Sequence, residues 1–425
     1  MTAFLLLSFM ALLLIGVPVA IALGGASLLF VALEGASPLL VVVHRMVGGV
    51  DSFPLLAIPF FIMAGSLMNT AGITERIYDF AMALVGWLKG GLGHVNVVGS
   101  VIFAGMSGTA VADAGGLGNI EIKAMRDHGY PVDFAVGITG ASSTIGPIIP
   151  PSLPLVIYGV MANASIGQLF AAGVIPGLFM AATIMIMVAY YAHVRGYHRD
   201  AAFRLGILWR TFQRAFLPLL TPVLLIGGMT TGIFTPTEAA IAATAYAMVL
   251  GLFVYRTLTW RGLVKVSMET AETTAIILLI VAGASIFGYL ITTTRVTDDV
   301  ANIVLSITSE PWAVLLLVNI FLLIVGCFME TIAAITILVP VLLPLMEKIG
   351  VDPVHFGLIM VLNLMIGLLT PPVGMVLYIL ARVANISFER ATKACLPFLI
   401  PLIGTLLVVT YWSDMVLWLP RIFYR

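Results

Sequence analysis

The amino-acid sequence predicts an all-α polytopic membrane protein built from two related halves, each with a re-entrant helical hairpin and a broken helix. Three observations lead there. Of 425 residues, 61% are hydrophobic and only 9% charged, against about 45–50% and about 25% in soluble domains, so a soluble fold could not cover its own surface. Charge is absent over long stretches: residues 134–194 hold no Asp, Glu, Lys or Arg, and 1–33, 52–74, 215–237, 273–294, 311–329 and 394–413 are equally free of them. A crossing needs about 20 apolar residues, and at roughly 35 residues per crossing and loop the chain fits about ten to twelve segments. The third observation is a repeat. Thr109-Ala-Val-Ala112 lies 222 residues before Thr331-Ile-Ala-Ala334, Pro131 and Phe134 lie 222 before Pro353 and Phe356, and Ile145-Gly-Pro-Ile-Ile-Pro-Pro151 lies 221 before Ile366-Gly-Leu-Leu-Thr-Pro-Pro372.

Several classes are excluded. The continuous apolar runs are not the alternating segments of about 10 residues that make an outer-membrane barrel. Twenty basic and twenty acidic residues give no net charge, hence no nucleic-acid surface. Cys327 and Cys395 sit in apolar runs and offer no disulfide framework, and the six histidines have no metal-ligand spacing. The first basic residue is Arg45, too late for the positive start of a secretory signal. The motifs His-Glu-x-x-His and Gly-x-Ser-x-Gly and a phosphate-loop lysine are absent, so uphill work would draw on an ion gradient or another subunit. Asp113 and Glu330 as the paired acids of an intramembrane enzyme would need one shared cavity, whereas the repeat assigns them to different hairpins.

In chain order, the first repeat spans 1–200. Its uncharged start carries no positive-inside signal and is placed outside. Residues 95–125 form a hairpin, because Gly105-Met-Ser-Gly-Thr-Ala-Val-Ala-Asp113 and the glycines after it are too polar and too rich in small residues for lipid. At its tip the hydroxyls of Ser107 and Thr109 are candidate ligands of a small hard cation, or else caps and packing residues. Residues 134–160 form a helix broken by Gly146, Pro147, Pro150 and Pro151, since proline removes a backbone bond and clashes with the preceding turn. The carbonyls of Gly146 and Ile149, with Ser142, Ser143 and Thr144 nearby, are Na⁺-site material. Residues 201–214 form a basic connection. Arg195, Arg199, Arg204, Arg210 and Arg214 surround one acid, Asp200, which places it on the cytoplasmic side.

The second repeat, 215–425, offers a hairpin near 313–346 and a broken helix near 356–381. Glu238 reads as a first-turn acid. Arg295 is either an anion contact or part of an interfacial loop with Asp298 and Asp299. Glu330, an acid within an apolar run, either balances a cation or caps the helix after it. Gly367, Thr370, Pro371 and Pro372 form the second break, with Asn363 just before it. Arg382, Arg390 and Lys393, then Arg421 and Arg425, mark cytoplasmic positions, so the number of full crossings is odd. Paired interruptions in two halves point to a transporter's binding site.

These phrases carry a family resemblance. Gly90-Gly-Leu-Gly-His-Val-Asn96, Phe103-Ala-Gly-Met-Ser-Gly-Thr-Ala-Val-Ala-Asp113, Ile120-Glu-Ile-Lys-Ala-Met125 and Ala141-Ser-Ser-Thr-Ile-Gly-Pro-Ile-Ile-Pro-Pro-Ser152 closely resemble the large membrane subunit of tripartite ATP-independent periplasmic (TRAP) transporters, as do Phe328-Met-Glu-Thr331 and Leu369-Thr-Pro-Pro372. The resemblance runs over essentially the whole chain. It implies an elevator carrier of the ion-transporter superfamily, with two inverted repeats and a mobile domain moving against a scaffold. It also implies a bacterial inner-membrane location, a separate small four-helix membrane subunit and a periplasmic binding protein. The substrate would be a carboxylate, either a dicarboxylate or a sialic, keto or sugar acid, taken up with Na⁺ and without an organic cofactor. One Na⁺ site would then use Ser107, Thr109, Gly146, Ile149 and Pro150, and the other Glu330, Thr331, Gly367 and Thr370. Ser143, Asn363 and Arg295 are the candidate substrate contacts. Glutamate at 330 departs from an aspartate common in relatives, which leaves its distance to the ion open. The alternative is a binding-protein-independent dicarboxylate carrier of the same superfamily, coupled to Na⁺ or H⁺.

Overall fold

A computed structural model describes residues 2–35, 38–308 and 310–424, with the side chains of residues 2, 3 and 107 outside that description. Among the described residues the chain is helical, with one isolated bridge between Lys89 and Arg199. Among the described residues eight helices are long and apolar enough to cross a membrane, including Ile166–Val194 and Trp260–Thr293. Eight is fewer than ten to twelve because several apolar runs are cut into pieces, such as Val132–Ser143, Leu153–Met161, Pro353–Gly367 and Met375–Ala384.

One motif occurs in each half. In the first, Gly91–Ser107 reaches a tip at Gly108 and Thr109 and returns through Ala110–Gly115 and Leu117–Asp127. Val132–Ser143 follows, then an irregular stretch, then Leu153–Met161. In the second, Pro311–Phe328 reaches a tip at Met329 and Glu330 and returns as Thr331–Lys348. Pro353–Gly367, a break and Met375–Ala384 follow. Each break contains a cis bond between two prolines, Pro150–Pro151 and Pro371–Pro372.

Buried amides clamp each broken helix to its hairpin. Asn96 Nδ2 donates to Thr139 Oγ1 at 2.7 Å and Asn96 Oδ1 accepts from Ser142 Oγ at 2.5 Å. In the second half Asn363 Nδ2 donates to Asn319 Oδ1 at 2.7 Å, and Asn319 Nδ2 donates to Thr410 Oγ1 at 3.0 Å. All four of the clamp residues Asn96, Ser142, Asn319 and Asn363 are buried, where unpaired polar groups are costly. The halves also interlock, since Leu153–Met161 packs on Thr331–Lys348 and Met375–Ala384 packs on Ala110–Gly115. Thr183 and Thr405 meet at 3.1 Å and lie 222 residues apart, the repeat offset itself.

Around this centre, Trp260–Thr293 packs against Val19–Glu34, Leu40–Val50 and Ala57–Thr70, while Ala57–Thr70 also packs on Pro236–Val249. The acid of the basic connection has a structural task. Asp200 Oδ2 accepts from Leu92 N at 2.9 Å and from Tyr130 Oη at 2.6 Å, which places a carboxylate at the positive N-terminus of the first hairpin helix.

Candidate functional site

The two hairpin tips rest on the two breaks. In the first half, Leu153 N donates to Gly108 O at 3.4 Å. Gly108 has φ +62°, and a Cβ there would stand 2.6 Å from Pro151 O, so both its conformation and its closeness require glycine. Thr109 caps the helix after the tip, its Oγ1 accepting from Ala112 N at 3.2 Å. In the second half, Val373 N donates to Cys327 O at 3.1 Å. Glu330 is the cap there, its Oε2 accepting from Ile332 N at 2.9 Å and Ala333 N at 3.1 Å.

Backbone satisfaction differs between the breaks. In the first, Pro147 O accepts from Ser152 Oγ, and Ser152 Oγ in turn accepts from Leu155 N at 3.2 Å. Among the described residues no hydrogen bond ends on the carbonyls of Gly146, Ile149 or Pro150. All three residues are buried, and the Thr109 carbonyl faces Gly146. Carbonyls buried in folded proteins are nearly always paired. In the second, Gly367 O already accepts from Thr370 N at 3.0 Å and Thr370 Oγ1 at 2.9 Å. Thr370 Oγ1 also touches Cys327 Sγ at 2.9 Å, and the buried Thr331 Oγ1 has no partner among the described residues. Exposure differs too, since Gly146 to Leu153 are buried whereas Pro371, Pro372 and Val373 are exposed.

The remaining sequence candidates fall as follows. The Ser107 side chain lies outside the described residues. Ser143 is buried and donates to Gly140 O at 2.8 Å. Asn363 is spent on the clamp, donating also to Ile359 O at 2.8 Å. Among the described residues its Oδ1 has no partner, and a free acceptor suits a cation or hydroxyl better than a carboxylate. Arg295 is exposed and precedes Val296–Ile307 with φ +57°. Asn363→Leu is expected to lower stability by about 1–3 kcal/mol, because Asn319 loses its buried donor; melting temperature of the purified protein checks this.

Glu121 was not among the sequence candidates. It is 2% exposed, and among the described residues neither carboxylate oxygen has a partner. Asp113 is equally buried and lies beside Ser100, although among the described residues neither Asp113 Oδ2 nor Ser100 Oγ completes a hydrogen bond. None of the ion pairs among the described residues involves either acid. Gly99 leaves the space, since a Cβ there would lie 3.0 Å from Glu121 Oε1. The signal was present in the helix period, because Leu117, Glu121, Ile122 and Met125 share one face, but the neighbouring Lys123 and Arg126 make the segment look solvated. Among the described residues no group of three or more His, Cys, Asp or Glu side chains is arranged to hold a metal ion.

Two hairpins seated on two broken helices, among helices of membrane-spanning length, define a polytopic membrane transporter. The sequence model described as "Tripartite ATP-independent periplasmic transporter, DctM component" matches residues 6–415. The chain belongs to that family, the large membrane component of TRAP transporters. It is 47% identical over 415 residues to the sialic acid TRAP transporter large permease protein SiaM of Vibrio cholerae, covering 98% of this chain and 97% of that protein. It is 43% identical over 417 residues to the sialic acid TRAP transporter permease protein SiaT of Haemophilus influenzae, covering 98% and 68%. In fold it is similar to the crystal structure of the Alcanivorax borkumensis YdaH transporter, with a TM-score of 0.61 at 14% identity over 87% of each chain. The relatives are permeases rather than enzymes, and the chain is a multi-pass protein of the bacterial inner membrane serving secondary transport of organic acids as part of a tripartite system.

Proposed function

We propose that the chain couples inward movement of Na⁺ to uptake of an organic acid, and that its two tip-and-break junctions are the ion sites. The buried residues Gly146 and Ile149 beside the first tip, whose carbonyls accept no hydrogen bond among the described residues, carry this reading. Oxygen donors without soft ligands suit a hard cation. The first site comprises Ser107, Thr109, Gly146, Ile149 and Pro150, and the second Glu330, Thr331, Gly367 and Thr370. The substrate's carboxylate binds between the tips. Sialic acid, named for both relatives, is the first substrate to try.

The motion is of elevator type, with hairpins and broken helices moving against the helices that surround them. The two-fold relation this requires is supported by Thr183 meeting its repeat equivalent Thr405, as equivalent positions do on a symmetry axis. The repeats, 1–200 and 215–425, are inverted, with the N-terminus periplasmic and the C-terminus cytoplasmic. Arg195, Arg390 and Lys393 line one cavity, which agrees with both basic connections lying on the cytoplasmic side; Arg425 lies outside the described residues. A small four-helix membrane subunit completes the scaffold and a periplasmic binding protein delivers the substrate.

The test is uptake into proteoliposomes holding the chain, the small subunit and the binding protein. Uptake of sialic acid is expected with an inward Na⁺ gradient and not with K⁺ in its place. Uptake driven equally by a proton gradient without Na⁺ would contradict the coupling.

A further inference from the structure

A cavity of about 270 Å³ lies at one end of the helix bundle, away from both breaks, and joins the two halves. Asp133 and Phe134 bring to it the start of the first broken helix. Arg195 follows the end of Ile166–Val194, and Arg390 and Lys393 belong to Phe388–Cys395, beyond the second broken helix. Three cations therefore meet one acid. Arg390 Nε engages Asp133 Oδ1 at 2.6 Å, whereas neither Arg195 nor Lys393 has a carboxylate within 4.0 Å among the described residues. Glu389, one turn before Lys393, is exposed and partly offsets its charge without a contact within 4.0 Å among the described residues. Arg195 and Lys393 thus have no carboxylate in contact among the described residues; Arg195 lies over the Tyr191 ring at 4.6 Å and donates to Tyr197 Oη at 3.4 Å.

The floor is aromatic. Tyr191 and Phe398 stack with centroids 5.7 Å apart, and Phe134 meets Tyr191 edge-on, also at 5.7 Å. A cationic lip over an apolar floor at the end of membrane helices has the polarity profile of the boundary between headgroup and acyl chain. Guanidinium groups match phosphate oxygens with a planar fork of donors, and basic pockets between membrane helices take anionic headgroups.

We infer that this cavity binds the phosphate of an anionic phospholipid headgroup, which bridges Arg195 to Lys393 and so ties the two halves together at that end. The site is independent of the ion sites proposed above.

The experiment places the full chain with its small subunit in phosphatidylcholine nanodiscs and adds either phosphatidylglycerol or inorganic phosphate at matched ionic strength. Melting temperature and lipid retained in native mass spectrometry are read. Phosphatidylglycerol is expected to raise the melting temperature and to be retained. Each basic side chain removed should weaken retention by about fivefold, so the Arg195→Gln/Lys393→Gln pair brings it close to the phosphatidylcholine background. Lys265→Gln, a solvent-facing charge elsewhere, should change neither. A stabilisation by inorganic phosphate alone that vanishes in the double variant supports the same site with free phosphate as its source. Unchanged retention and stabilisation in the double variant, or an equal loss in Lys265→Gln, would overturn the inference.

Discussion

Gly367→Ala is expected to be strongly destabilising. Pro311–Phe328 and Pro353–Gly367 cross backbone to backbone at Gly326 and Gly367. A Cβ at 367 would stand 2.5 Å from Gly326 Cα and 2.7 Å from Gly326 O, and backbone atoms cannot rotate aside. The helices must separate, and the Asn363–Asn319 bond one turn away is strained with them. Overpacking of this kind costs about 1–3 kcal/mol and occasionally more, a large share of the roughly 5–15 kcal/mol that keeps a domain folded. The repeat supplies its own control. Gly146 stands 221 residues earlier, and a Cβ there meets nothing closer than 3.5 Å, so Gly146→Ala should leave the melting temperature nearly unchanged. Gly326→Ala, whose nearest contacts are 3.2 and 3.3 Å, should fall between. Melting temperatures of the three variants and their uptake rates check the order; equal effects at 146 and 367 would refute the crossing.

Glu330→Gln is expected to separate two roles that the sequence leaves open. The glutamate caps Thr331–Lys348 through Oε2, and a glutamine oxygen accepts the same two bonds. Stability should therefore fall by less than about 1 kcal/mol, whereas Glu330→Ala loses the cap and about 0.5–2 kcal/mol. The charge is the other matter. A carboxylate about 4 Å from a cation contributes up to roughly 4 kcal/mol at an effective dielectric constant near 20, and every 1.4 kcal/mol is tenfold in affinity. If Glu330 balances the second ion, Glu330→Gln weakens Na⁺ activation of uptake at least tenfold in a folded protein. Na⁺ dependence identical to the parent would leave Glu330 a cap alone.

Much of this architecture is legible in the sequence because its causes are local. Glycine with paired prolines marks each break, whereas isolated prolines do not. Ile166–Val194 continues through Pro176, and Thr331–Lys348 continues through Pro340 and Pro344. A single proline loses one backbone bond that neighbours can absorb, while two in succession also force the preceding residue out of helical geometry. What escapes the sequence is set by distant partners. Asn363 looks like a cavity residue until Asn319, 44 positions away, claims its amide. Glu121 looks solvated until Gly99 makes room for its carboxylate. The unequal state of the breaks, one sealed and one exposed, depends on how the halves sit together, to which a repeat in the sequence is blind.

The most direct test of the central claim, that the tip-and-break junctions bind Na⁺, needs no substrate. The chain with its small subunit is melted in NaCl and in choline chloride at equal ionic strength. A ligand held only by the folded state stabilises by RT ln(1 + [L]/Kd), about 2.7 kcal/mol at a hundredfold excess over Kd. A Na⁺-specific rise in melting temperature is predicted, reduced in Thr109→Ala and in Thr370→Ala and lost when both are combined. Identical melting in the two salts, or a full Na⁺ shift surviving in the double variant, would contradict it.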